Sequence, residues 1–284
     1  MPPNKEPWFF APELQFRAPP RPEGTPRTLA EYLALFEPAR PEQLAGEASA
    51  LYLWSEQAAR RIAEVQPAAR VIAILREPAS FLRSLHLQFV QNHVETETDL
   101  RRALSLEDQR RRGARVPRHS YWPQALLYSE YVRYVDQLRR YRAVLPPEQM
   151  LVLIYDDFRR DNQATVRAVL RFLGVDDTAP FRVAEVNPTV RPRSGWLHEL
   201  IHAIGVGRGP VSALAKTGVK AVTPASLRRR SLHAVQRHLV FGTPKPPDER
   251  LMVELRRRYK GEVEALGNYI HRDLVTLWGY DSVG

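Results

Sequence analysis

Val71-Ile72-Ala73-Ile74-Leu75 is the stretch that most limits what this chain can fold into. It is apolar, rich in β-branched residues and too short for most helices, and it halts at Arg76-Glu77-Pro78. That pattern predicts a buried parallel strand whose C-terminal end opens into a loop. From Pro78 a helical pattern begins, with Phe81, Leu82 and Leu85 able to face inward while Ser80, Arg83 and Ser84 stay at the polar boundary. Open α/β sheets hold their ligands at the carboxyl ends of strands. Arg76 on the strand end and Ser84, about two turns into the helix, are therefore candidates to grip one anion from two sides. The plainer alternative is a strand, a turn and a helix with Arg76 paired to a surface carboxylate.

A second unit of the same kind follows. Met150 to Ile154 is another short apolar run, ending in Tyr155-Asp156-Asp157, and Asn162 to Leu173 is an amphipathic helix that stops at Gly174, a C-cap signal. Two strand-loop-helix units predict an α/β fold with a parallel sheet flanked by helices. Asp156 and Asp157 stand where magnesium ligands could at a strand end, but no Walker A glycine loop precedes them, so the pattern carries little weight.

The chain has 284 residues and a formal charge of +10, with 42 Lys and Arg against 32 Asp and Glu. Such an excess favours an acidic partner: nucleic acid, an anionic membrane surface, a sulfated or uronic-acid glycan, or a polyphosphorylated nucleotide. The absence of cysteine excludes disulfides, thiol nucleophiles and cysteine-ligated zinc. No apolar run reaches membrane-spanning length, and the first residues lack the apolar core of a signal peptide. A cytoplasmic protein, with peripheral contact at the inner membrane as an option, is expected.

The N-terminus reads MPPNKEPWFF. Its prolines oppose helix and central strand, while Trp8, Phe9 and Phe10 demand burial. Lys5-Glu6 is thus tethered to an aromatic anchor, and a loop carrying Glu6 into a cleft suits a general base, since burial raises a carboxylate pKa. A terminus merely pinned by its aromatics fits equally well. Thr28 with Glu31 has the spacing of a capping box for a helix to Phe36, Gly46 to Leu53 is an extended segment or tight turn, and Ser55 caps a helix over Glu56 to Val65. Glu47 and Ser49 could line the cleft, though a structural role in the turn is the safer reading.

From Arg101 to Arg118 arginines are dense and run into Tyr121-Trp122. They read as a solvated helical face or as a surface for an acidic acceptor. Leu127, Tyr131, Val135, Leu138 and Tyr141 have helical spacing and suit core packing. The loop from Asn187 to Gly195, with Arg191 and Arg193, can fold over a phosphate. His198-Glu199-Leu200-Ile201-His202 satisfies the HExxH spacing, but position 208 is arginine where a third histidine would stand, so no metal is expected. Ser226 to Val240 has the pattern of a basic amphipathic helix, and Asp248 to Ile270 that of a long final helix.

These residues resemble the P-loop-like sulfotransferases that use 3'-phosphoadenosine 5'-phosphosulfate (PAPS), nearest in motif style to the heparan sulfate sulfotransferases. Lys5-Glu6-Pro7-Trp8-Phe9-Phe10 is similar to the family's KEPHFF-like segment, and Gly46 to Leu53 to its GEASxxYL stretch. Ile74-Leu75-Arg76-Glu77-Pro78 with Ser84 resembles the 3'-phosphate-binding element. Tyr155-Asp156-Asp157-Phe158, Phe172-Leu173-Gly174-Val175 and Tyr259 to Trp278 match further landmarks. The resemblance implies a P-loop-NTPase-like parallel sheet in one domain spanning 1–284, with a helical insertion or lid at about 195–247. It implies that Arg76 and Ser84 bind the nucleotide 3'-phosphate, that Glu6 deprotonates a hydroxyl or amine acceptor, that Lys5 assists, and that Arg191 and Arg193 lie in a nucleotide-covering loop. PAPS would be the cosubstrate, with no metal. Ala48 stands where heparan-type enzymes carry a functional lysine, so their acceptor does not transfer.

The family's first strand and PKSGTT-like phosphosulfate loop would stand just before Lys5. Met1 is then a start codon assigned within a longer gene, or the chain is truncated. Losing even one oxyanion donor costs on the order of 3 kcal/mol in the transition state. The expectation is an N-terminally incomplete sheet and impaired catalysis in this chain, with sulfotransfer in any longer product. Two readings compete: an inactive sulfotransferase-like binding protein, and a basic nucleic-acid-binding protein, for which no recognised module is present.

Overall fold

The computed structural model describes residues 6–14, 24–118, 120–181, 191–192, 241–242 and 246–283. Its centre is a parallel pair, β1 (Val71–Leu75) and β2 (Met150–Ile154), in register from Val71↔Met150 to Leu75↔Ile154. Both strands therefore end side by side, which sets Arg76 next to Tyr155. Both have the bounds expected from their apolar runs, because each run is bracketed by residues that cannot continue a buried ladder.

The expectation of burial on both faces is met on one. Strand side chains alternate between faces. Ala73 and Leu75 are buried, whereas Ile72 and Ile74 on the opposite face are 39% and 49% exposed. The buried face joins a core with Leu82, Leu138, Leu255 and Leu266.

Helices deliver those residues. In chain order they are α1 (Leu29–Ala34), α2 (Ala58–Val65), α3 (Pro78–Gln91), α4 (Leu100–Ser105), α5 (Glu107–Arg111), α6 (Tyr134–Arg142), α7 (Tyr155–Arg160), α8 (Asn162–Leu173), α9 (Glu249–Ile270) and α10 (Leu274–Leu277). α1 begins at the reciprocal capping box of Thr28 and Glu31, and Ser55 Oγ accepts from the Ala58 amide at the start of α2. α8 ends at Gly174, left-handed at φ 71°. α9 buries Leu251, Leu255, Tyr259, Val263 and Leu266 along one stripe and packs on α3 and α6. Gly267 lets the chain turn back into α10, since a Cβ there would lie 2.7 Å from the Arg272 carbonyl oxygen.

Two patterns read from spacing resolve differently. The stretch before Tyr141 is not one helix: short 3-10 turns at Pro123–Leu126 and Tyr128–Val132 precede α6. Its aromatics are nonetheless core, with Tyr128, Tyr131, Tyr134 and Tyr141 all buried. The arginine run is not uniformly solvated either. Arg110 is 2% exposed and pairs with buried Glu95 at 2.8 Å, while Tyr128 donates to the same carboxylate at 3.1 Å. Two opposite charges buried together with bidentate geometry satisfy each other where water cannot.

A second apolar cluster lies under the N-terminal segment. Phe10, Ala11 and Leu14 pack with Tyr32, Tyr52, Ala58, Trp122 and Ala125. Phe9 stacks on Tyr32 at 4.8 Å, and Trp54 contacts both Trp122 and Tyr131, which links this cluster to the main core.

Candidate functional site

Arg76 leaves β1 half-buried, with its guanidinium over the Tyr155 ring at 5.1 Å. Among the described residues it pairs with no carboxylate. Stacking on an aromatic face leaves the guanidinium edge, with its fork of N–H donors, available to a planar or tetrahedral anion. The Arg76 carbonyl accepts from Tyr134 Oη at 2.9 Å, so the backbone at the strand end is held too. Burial, and then the Glu77 charge, push the Tyr134 phenol pKa up, which keeps that donor protonated.

Glu77 organises this end. It is 5% exposed and caps α3 by accepting from the Ala79 and Ser80 amides at 3.1 and 2.6 Å. Tyr280 Oη donates to it at 2.6 Å from the far end of the chain, and Arg256 Nε approaches to 3.7 Å, a charge contact too long for a hydrogen bond. Only its place before Pro78 at a helix start signalled a cap. Its Tyr280 and Arg256 partners had no local signal.

Ser84 is half-buried two turns into α3, and no hydrogen bond among the described residues joins it to Arg76. Arg191 sits in β3 (Arg191–Pro192), which pairs antiparallel with β4 (Phe241–Gly242), and β3 lies beside α3. Lys5, Arg193, the HExxH segment and the basic pattern at 226–240 lie outside the described residues.

The Glu6 charge reaches the Tyr121 phenol, whose pKa is raised chiefly by burial and further by Glu6, while a hydrogen bond from the Asn92 side chain opposes the rise. Asn92 is the C-cap of α3. Tyr121, on which the Glu6 charge bears, is thus tied to the end of α3 opposite Arg76. Glu6 and Trp8, on either side of Pro7, have φ of 58° and 47°. The rest of this segment is fastened to α2: Glu13 Oε1 accepts from the Glu56 and Gln57 amides at 3.0 and 3.4 Å, and from the Ser55 hydroxyl.

Asp156 and Asp157 are structural. Trp278 Nε1 donates to Asp156 at 2.9 Å, and Arg272 forks onto Asp157, where those hydrogen bonds depress the carboxyl pKa. Among the described residues no cluster of three or more metal-ligating side chains occurs, and no helix is long and apolar enough to cross a membrane.

Comparison with known proteins bears on this arrangement directly. Residues 53–179, which carry β1, α3 and β2, match the profile described as the sulfotransferase family. No curated protein matches the chain. Among solved structures, the crystal structure of a sulfotransferase from Alicyclobacillus acidocaldarius is similar over 97% of this chain and 86% of its own, with 25% sequence identity and a TM-score of 0.64. The parallel sheet flanked by helices is accordingly the P-loop-like fold of those enzymes. The matched segment and the shared fold support a sulfotransferase family for this chain.

Proposed function

We propose that the chain transfers a sulfonate group from PAPS to a hydroxyl or amine acceptor. The observation that carries this reading is Arg76: a cation at the carboxyl end of a parallel strand, stacked on Tyr155, with no carboxylate partner among the described residues. That donor set fits a phosphate. Arg76 and Ser84 hold the 3'-phosphate, with Arg191 and Arg193 in a covering loop.

PAPS, when bound, supplies a sulfur atom already attached to a good leaving phosphate. Glu6 takes the proton from the acceptor as its oxygen or nitrogen attacks sulfur. The new bond to sulfur forms as the sulfur–oxygen bond to the phosphate breaks, and 3'-phosphoadenosine 5'-phosphate departs. Lys5 assists placement of the transferring group. Arg112, Arg115 and Arg118 are exposed and lack carboxylate partners among the described residues, which favours an acidic acceptor, a carbohydrate or a lipid. We read residues 1–284 as one domain with a lid at about 195–247, acting in the cytoplasm with peripheral contact at the inner membrane.

Calorimetric titration with 3'-phosphoadenosine 5'-phosphate tests the reading, with Arg76→Ala as control. Saturable binding that weakens about 10- to 100-fold in the variant, the worth of a charge-assisted hydrogen bond, is the expected result. Binding without sulfonate transfer to any hydroxyl or amine acceptor would favour an inactive nucleotide-binding relative. Equal binding by both proteins would remove Arg76 from the site.

A further inference from the structure

Glu6 and Trp8 occupy left-handed backbone that side chains other than glycine rarely adopt. Each such residue costs on the order of 1 kcal/mol or more and persists only where its surroundings impose it. The imposing contacts come from below the loop. The Trp8 amide donates to Ser49 Oγ at 3.2 Å, and the Phe10 amide donates to Tyr52 Oη at 3.2 Å. Both hydroxyls lead to one group: Ser49 Oγ donates to Glu47 Oε2 at 2.7 Å, and Tyr52 Oη is hydrogen-bonded to the same carboxylate. Tyr32 Oη reaches Glu47 Oε1 at 3.5 Å.

The direction of these bonds follows from chemistry. Burial raises the Glu47 pKa, while the hydrogen bonds from Ser49, Tyr52 and Tyr32 oppose that rise, as bonds accepted by a carboxylate do, and a hydroxyl has one proton to give. With Glu47 taking the protons of Ser49 and Tyr52, their lone pairs must face outward, where the Trp8 and Phe10 amides meet them. Ser49 and Tyr52 are 7% and 9% exposed, so water competes poorly for either role.

We infer that Glu47, acting through Ser49 and Tyr52, is a positioning residue that holds the Glu6-Pro7-Trp8 turn in its left-handed form and thereby aims Glu6. This rests on the reading of Glu6 as the base that accepts the acceptor's proton. Glu47 itself touches no reacting atom.

The test compares Glu47→Gln, Ser49→Ala and Ser49→Thr with the parent chain. Amide hydrogen exchange over residues 6–14 is read in the nucleotide-free protein, and PAPS turnover and product-nucleotide affinity are read separately. Exchange at the Trp8 and Phe10 amides should accelerate at least about tenfold in Glu47→Gln. In Ser49→Ala the Trp8 amide should respond alone. Turnover should fall by a similar factor in both, with nucleotide affinity unchanged and Ser49→Thr close to the parent. Parent-like exchange in Glu47→Gln and Ser49→Ala, or faster exchange with unchanged turnover, would overturn the inference. Should Glu47→Gln fail to fold, the Ser49 pair decides it. Should the parent bind nucleotide but show no turnover, the base role of Glu6 falls, while the exchange measurements still decide whether Glu47 clamps the turn.

Discussion

The surroundings of Arg76 and of Glu6 are built in opposite ways. At the start of α3, Arg76 is set by a strand, by the buried cap Glu77, and by Tyr134 and Tyr280 arriving from distant segments. Glu6, by contrast, is carried by an irregular turn whose own conformation is unfavourable and which hydroxyl contacts from residues 47–52 help to hold above the apolar cluster of Phe10 and Leu14. A rigid anchor suits an anion that must be gripped in one place. A base that must meet a reacting proton within tenths of an ångström can be aimed by a strained loop, but only while its clamp is intact. Stability should therefore reside around Arg76 and turnover around Glu6.

The largest blow to that contrast comes from Glu77→Ala. It leaves the Tyr280 hydroxyl and two helix amides without their acceptor, and Arg256 without its counter-charge. Urea unfolding should report a loss of about 3 kcal/mol or more, with nucleotide affinity falling alongside. A loss below about 1 kcal/mol would mean that the strand end is not the rigid half. Glu6→Gln should do the reverse. Turnover should drop at least about 100-fold, as expected for a general base, with the unfolding midpoint unmoved; a variant that turns over normally would end the functional side of the comparison. Tyr280→Phe sharpens it by removing only a hydroxyl. We expect about 1 kcal/mol of destabilisation and a modest loss of nucleotide affinity, measured by the same two assays.

A milder probe of the Arg76 end comes from Asp157→Asn, two residues beyond the Tyr155 that stacks on Arg76. The carboxyl pKa of Asp157 is depressed in the folded chain, mainly by its hydrogen bonds from Arg272. Its contribution is therefore present above the unfolded pKa of about 4 and is lost as pH falls through the folded value. At pH 7 the substitution should cost about 1 kcal/mol. By about pH 2, below the ordinary carboxylate range, parent and variant should converge in denaturant midpoint. A difference independent of pH would assign the effect to packing.

Much of the scaffold could be read without coordinates because its signals are local. Val71–Leu75 and Met150–Ile154 are apolar runs closed by loop-forming residues, Thr28 and Glu31 form a capping box, and Gly174 ends α8, so each element announces its own bounds. The stretch from Pro123 to Arg142 was legible as core but not as 3-10 turns followed by a helix, because apolar spacing does not distinguish i→i+3 from i→i+4 bonding over a single turn. Arg110 looked like one more surface arginine. Its burial depends on Glu95 and Tyr128, and nothing in the run itself distinguishes it from Arg112 or Arg115.

The sequence by itself determined the strand ends, the helix periods and the resemblance that singled out Arg76, Ser84 and Glu6, since these follow from residue types a few positions apart. Tertiary structure alone decided that Tyr155 stacks on Arg76, that Tyr280 meets Glu77, and that Glu47 governs the Trp8 and Phe10 amides through two hydroxyls. Those partners are far apart in the chain or meet through an irregular turn. Their pairing is set by which polar groups packing leaves without water, a property that no short stretch of sequence contains.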